Sequence, residues 1–177
     1  MAIPNFKEPL EEARSNSRVL ILGSYSQSKE AKGSGFSEKS LESLKGFMVS
    51  KGFVQTKLVR DWTDEQEVPN GSLNIHFGMK SYYYIDNWAD ILLFVFLPEF
   101  DNYGVTREWG HLVESNAKCD KAIILTHSSI NLGALIKGDI ESKRILSYTF
   151  DNKRELLDFA FSGCFNVIYT LMSKASN

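Results

Sequence analysis

The chain reads as an α/β three-layer sandwich built on a five-stranded parallel sheet, in the flavodoxin-like order 2-1-3-4-5. Three observations predict it. From Arg18 onward, short apolar runs alternate with amphipathic segments of helix length. One run, "DILLFVFL" (90–97), is apolar almost throughout, as expected of a central parallel strand covered on both faces. Each run is followed by a segment long enough for a crossover, which parallel strands require. The strand order is not contained in the runs themselves. It is the usual solution for five strands, and it sets strands one and three side by side where the winding reverses.

Taken in order, residues 1–17 form a polar N-terminal arm with about one helical turn around "PLEEAR", lying outside the core of a single domain, 18–177. "RVLILGS" (18–24) is the first strand, ended by glycine and serine. In "SEKSLESLKGFMVSKG" (37–52), Leu41, Leu44 and Met48 recur at helical spacing and Gly52 supplies a stop. "FVQTKLVRDW" (53–62) partly alternates, as an edge strand does. A polar passage, 63–77, with a "PNG" turn signal leads to a helix over 78–89. After the third strand come a helix over 103–118, a strand over 120–128 and a short helix or irregular link over 129–138. A fifth strand (142–150) and a long closing helix (152–174) follow.

Composition narrows the function classes. With 43% hydrophobic residues the chain can bury a full core without disulfides or metals. A formal charge of −2, with lysines and arginines scattered, argues against a general grip on nucleic acid. Cys119 and Cys164 lack metal-ligand spacing and sit in apolar surroundings, as buried free thiols of a reducing compartment do. His76, His111 and His127 share no spacing, so no metal site is expected. The first residues have no apolar signal core, and no stretch reads as a membrane span. A cytoplasmic domain without membrane contact is the expectation. The closing helix carries an apolar surplus that either the sheet or a second subunit of a homo-oligomer could cover.

If strands one and three are neighbours, their C-terminal loops form the crevice in which such sheets bind ligands. The first loop supplies Gly23, Ser24, Tyr25 and Ser26, small and polar groups able to hold phosphate or ribose hydroxyls. Lys29 and Lys32 lie further along it. The loop matches neither a P-loop nor a dinucleotide fingerprint. Asp61 follows strand two at the same sheet edge. The other loop supplies Asp101, Asn102 and Gly104, and its helix buries Val105, Trp109, Leu112 and Val113. Glu108 lies on the shoulder of that stripe, close to the crevice and near a helix N-terminus, where negative charge is favoured. A stabilising role for the helix alone is the plain alternative. Arg107, His111 and Glu114 project away from the stripe. Asp90 opens strand three at the far end of the sheet, where a helix-capping role is expected, and Asp86 lies beside the tyrosines Tyr82, Tyr83 and Tyr84.

Together, "VLILGSYS", "WADILLFVFLPEFDN" and "YGVTREWGHLVES" resemble the nucleoside 2-deoxyribosyltransferase superfamily, and more remotely Toll/interleukin-1-receptor domains, whose enzymatic members cleave NAD. The shared pattern is a third strand introduced by Asp, an acidic loop, then Gly, three residues, Glu, one residue and Gly. It falls on Asp90, 98–103, Gly104, Glu108 and Gly110. The resemblance implies that Glu108 is the nucleophile at the sugar anomeric carbon, and that the ligand is a nucleoside, nucleotide or NAD-like molecule, with no cofactor. Two positions depart from the pattern. Asn102 replaces an aspartate, with Asp101 beside it, and Tyr82 replaces another, with Asp86 the nearest acid. Two functions follow: cleavage or transfer at an N-glycosidic bond with Glu108, Asp101 and Asp86 as catalytic groups, or a non-catalytic ligand-sensing or interaction domain of the same fold.

Overall fold

The structure is a computed structural model and describes residues 7–25, 33, 35–37, 39–62, 73–115 and 118–175. Five strands, β1 (Arg18–Gly23), β2 (Gln55–Leu58), β3 (Ile91–Phe96), β4 (Ala122–His127) and β5 (Leu146–Phe150), form one sheet in the order β2-β1-β3-β4-β5. All four pairings are parallel, with Val19 opposite Ile91 and Gly23 opposite Val95 in the β1–β3 register. The expected fold and strand order are therefore both present.

Among the described residues six α-helices complete the layers: α1 (Lys7–Asn16), α2 (Ser40–Ser50), α3 (Leu73–Asn87), α4 (Tyr103–Ser115), α5 (Ala134–Lys143) and α6 (Lys153–Ala175). Side chains alternate across a strand, so the sheet has two apolar faces. Val19, Ile21, Leu93, Val95 and Ile123 pack with α2 and α6 through Leu41, Leu44, Met48, Ala160, Cys164 and Val167. Leu20, Leu22, Phe94, Phe96 and Ile124 pack with α3 and α4 through Ile85, Val105, Trp109 and Leu112, while Ile136 and Ile140 of α5 are partly buried there. β3 is buried at every position, which is why it reads as unbroken apolar sequence.

Several boundaries differ from the expectation. β2 is only four residues long, and Val59–Trp62 turn into a 3-10 helix. The third helix begins at Leu73, inside the passage that reads as polar loop. The link after β4 carries a ten-residue helix, α5, which begins and ends later than the short segment expected at 129–138. α1 is a ten-residue helix, and its Leu10 and Ala13 rest partly buried against the core that was expected to exclude them. By length and composition α6 is apolar enough to cross a membrane over Lys153–Ser173, contrary to the reading that no stretch is. Its Leu156, Ala160, Cys164, Val167 and Ile168 lie on the sheet, and a third of that window is buried. One apolar face of α6 thus goes into the core, while the rest of the window is partly or fully exposed.

Asp90 is not a helix cap. Its Oδ2 accepts hydrogen bonds from the Arg18 backbone N–H at 3.0 Å and from Nε at 2.9 Å, and its Oδ1 accepts from Nη2 at 2.8 Å. This two-pronged pair joins the starts of β1 and β3. Burial alone would raise the Asp90 pKa, but the Arg18 hydrogen bonds and charge outweigh it and hold the carboxyl below its ordinary value.

Candidate active site

The C-terminal ends of β1 and β3 lie together, so the chain on leaving β1 faces the loop between β3 and α4. That loop turns through Glu99, whose φ of 64° is in the left-handed region, and closes on Asn102. The Asn102 Nδ2 donates to the carbonyls of Leu97 at 3.1 Å and Phe100 at 3.2 Å. Asp101 is exposed, and its Oδ1 accepts the Tyr103 N–H at 3.0 Å, satisfying a free donor at the start of α4. From there α4 is anchored by Val105, Trp109 and Leu112, each at most 2% exposed. Burying such side chains is worth about 1.5–3 kcal/mol apiece, which fixes the rotation of the helix.

That rotation decides where Glu108 goes. It is the sixth residue of α4, beyond the first turn where the helix dipole acts, so the expected stabilisation by the helix terminus does not reach it. The residue is partly accessible, yet its carboxyl is enclosed enough that burial pushes its pKa up to about 7, while a hydrogen bond from Ser81 pulls the other way. A carboxylate that is reachable and poorly solvated has the character of a group facing a ligand crevice.

Tyr25, just beyond β1, senses the same charge. Burial raises its pKa most, Arg60 opposes the rise, and the Glu108 carboxylate adds to it, so the phenol stays a neutral donor. Arg60 lies over the Tyr25 ring at 4.6 Å and pairs with Glu42. Buried and without partners among the described residues are the Tyr25 hydroxyl and the Asn102 Oδ1. Such groups are costly unless something bonds to them.

The other anticipated residues fall as follows. Gly23 lies inside the sheet, where a Cβ would stand 3.0 Å from Leu41 and 3.1 Å from the Val95 carbonyl, so packing accounts for it. Ser24 is half-buried next to it, and Ser26, Lys29 and Lys32 lie outside the described residues, as does most of the 63–77 passage. Asp61 accepts the Leu58 N–H at 2.7 Å and the Lys45 ammonium at 2.8 Å, which secures the turn after β2. Gly104 is exposed, with nothing within 4 Å of a Cβ built there. Asp86 is bound to His111 Nε2 at 2.9 and 3.1 Å, so His111, which was expected to project away from the buried stripe, faces α3 and stacks on Tyr82. Five residues separate Asp86 from Ser81, about 7 Å further from the crevice along α3. Tyr84 stacks on Trp62 at 3.8 Å, so two of the three tyrosines serve helix packing, and Tyr83 is 60% exposed.

Two residues of the site were not anticipated, Arg60 and Ser81. Ser81 precedes the buried Ile85 by four residues, a spacing that turns both toward the same side of α3 and could have marked it. Two concavities lie apart from Glu108. One of about 320 Å³ opens at the ends of β4 and β5 beside Thr126 and Lys137, the other of about 400 Å³ between α2 and Arg60. Among the described residues no group of three His, Cys, Asp or Glu side chains is placed to hold a metal.

No protein-family model matches the chain, and no curated protein matches it. A solved structure does, that of the CMP N-glycosidase BcmB from Clostridium botulinum. The chain is similar to it in fold. The superposition has a TM-score of 0.53 and covers 80% of this chain and 95% of that one, at 18% identity. At that identity the likeness concerns the fold alone.

Proposed function

We propose that this chain cleaves the N-glycosidic bond of a nucleoside 5′-monophosphate, with Glu108 as nucleophile. The observation that carries the reading is the half-buried Glu108 carboxylate, whose charge is felt at Tyr25 beyond the end of β1 and which has no described cation to neutralise it. The fold shared with a CMP N-glycosidase supports the choice of bond and substrate class. In the reaction an ionised Glu108 oxygen attacks C1′ as the C1′–N bond breaks. The bonding electron pair leaves with the base, which takes up a proton. Water then cleaves the glycosyl ester, giving ribose 5-phosphate and regenerating the carboxylate. Poor solvation strengthens the pull of the carboxylate on the positive charge developing at the sugar. Only the ionised form attacks, so activity rises with pH through about 7.

The test is base release from CMP, other nucleoside monophosphates, free nucleosides and NAD, followed by chromatography for wild type and Glu108→Gln. Release by wild type and not by the variant is expected. Equal traces from the two proteins across the panel would overturn the proposal. One observation favours a second reading, binding without turnover. Asp101 and Asp86, the acids nearest the two departed positions, are engaged by the Tyr103 N–H and by His111. A rise in melting temperature with CMP in the absence of any base release would select it.

A further inference from the structure

On the face of the sheet that carries α3 and α4, strands β1, β3 and β4 present apolar side chains, and the pattern stops at the end of β4 and at β5. Leu146 and Tyr148 turn to the other face, so β5 presents Ser147 and Thr149 here, both exposed. The crossover helix beside them, α5, has no buried residue. Between the strands and this helix lies the cavity of about 320 Å³, lined by three hydroxyl residues, Thr126, Ser147 and Thr149. Thr126 is 6% exposed, and its Oγ1 has no hydrogen-bond partner among the described residues. A hydroxyl buried in that state is unfavourable, and a valine of the same shape would avoid the cost.

The charges at the cavity are uncancelled as well. The Lys137 ammonium donates to the neutral Asn131 Oδ1 at 2.8 Å. Glu141, one helical turn on, forms no ion pair among the described residues. The neighbouring acids are engaged: Asp139 accepts the Trp109 Nε1–H at 3.3 Å, and Asp151 accepts the Ser128 hydroxyl. Register and helix geometry set the free groups in two tiers. Thr126 pairs with Thr149 across the β4–β5 ladder, and Ser147 lies two residues back along β5, about 6–7 Å lower. α5 descends as β5 climbs, so Glu141 lies about 6 Å below Lys137. A cation and two threonines thus stand in the upper tier, an anion and a serine in the lower. Ile130, Leu132 and Ile140 complete the lining with apolar surface.

We propose that this cavity binds a free α-amino acid with an aliphatic side chain. The ligand's carboxylate takes the Lys137 ammonium and the Thr126 hydroxyl. Its ammonium takes Glu141 and Ser147, and its side chain lies on the three aliphatic residues. A ligand carrying only negative charge, such as a phosphate ester, would satisfy Lys137 but set its own charge against Glu141. The volume is at the low end of the roughly 300–1,000 Å³ of ligand pockets, which suits a small molecule. The site is separate from Glu108 and does not depend on the reaction proposed there.

The experiment titrates L-leucine into the protein and follows the amide NMR signals of Thr126, Lys137 and Ser147. Leucinamide, which lacks the carboxylate, and isocaproate, which lacks the ammonium, are the comparisons. Leucine is expected to bind with a Kd on the order of 1 mM or below, and each analogue about tenfold more weakly. Lys137→Gln and Glu141→Gln, both at exposed positions of α5, each weaken leucine about tenfold. Thr126→Val weakens it about fivefold while the Tm of the unliganded protein holds or rises, because an unpaired buried hydroxyl is gone. The two α5 variants decide the matter should Thr126→Val melt low. No saturable shift of these signals at about 10 mM leucine overturns the proposal. So does binding that either analogue matches, or that neither α5 variant weakens.

Discussion

The two ends of the β1–β3 pair each hold a carboxylate, in opposite states. At the N-terminal end Asp90 receives three hydrogen bonds from Arg18 and is kept charged. At the C-terminal end burial pushes the Glu108 carboxyl up to about 7. The chemical group is the same, and the difference lies in the counter-charge. Where the task is to hold two strands together, a cation is supplied. On the proposed reading Glu108 meets a positive charge that arises only during the reaction, and a resident cation would cancel it.

Substitutions can break this contrast, and the largest effect is expected at Glu108. Glu108→Gln lowers base release by about a thousandfold or more, measured as free base per enzyme. The same variant sharpens the stability side. A carboxyl whose pKa is raised on folding binds its proton more tightly in the folded state. Its contribution is fully present below the unfolded value of 4.5 and is lost as pH rises through about 7. Wild type therefore loses stability across that window on the order of 2 kcal/mol, reduced by the partial exposure of the residue, while Glu108→Gln stays flatter in melts at pH 5 and pH 8.

Asp90→Ala comes next. It removes about 1–2 kcal/mol, a figure discounted because the side chains of the pair are 39% and 33% exposed, and it lowers Tm by a few degrees while kcat and KM stay unchanged. The sign here is the reverse of that at Glu108. A depressed carboxyl stabilises above its unfolded pKa, and that contribution is lost as pH falls through the folded value. The two glycines contrast with each other. Gly23→Ala presses a methyl onto Leu41 and the Val95 carbonyl and costs about 1–3 kcal/mol in chemical denaturation. Gly104→Ala meets nothing, so stability is held or raised by up to about 1 kcal/mol of helix propensity, and weaker CMP binding in a thermal-shift titration would mark it as a ligand contact.

The sheet was legible because its signals are local. "ILLFVF" is apolar at every position since both faces of β3 are covered, and no other element has to be known to see it. Glu108 was legible for a similar reason, as a polar residue on the shoulder of the stripe formed by Val105, Trp109 and Leu112. The degree of its burial was not, because that depends on how α3 and α4 lie against each other, and the two are separated in sequence by β3. The packing roles of Tyr82 and Tyr84 were hidden for want of the same information, since their partners His111 and Trp62 come from other elements. The early start of α3 was hidden by the polar residues before it, and α1 by a sequence too charged to look like part of a core.

α6 has the length and apolar content of a bilayer span and nevertheless packs on β4 and β5. All five strands precede it in the chain, so during synthesis they leave the ribosome first. The greasiest helix therefore emerges when the surface that shields it can already have formed. Were the order of synthesis reversed, by a circular permutation that moves this helix to the front, it would meet water or the insertion machinery alone. Such a rearranged chain is expected to accumulate as aggregates or in the membrane fraction.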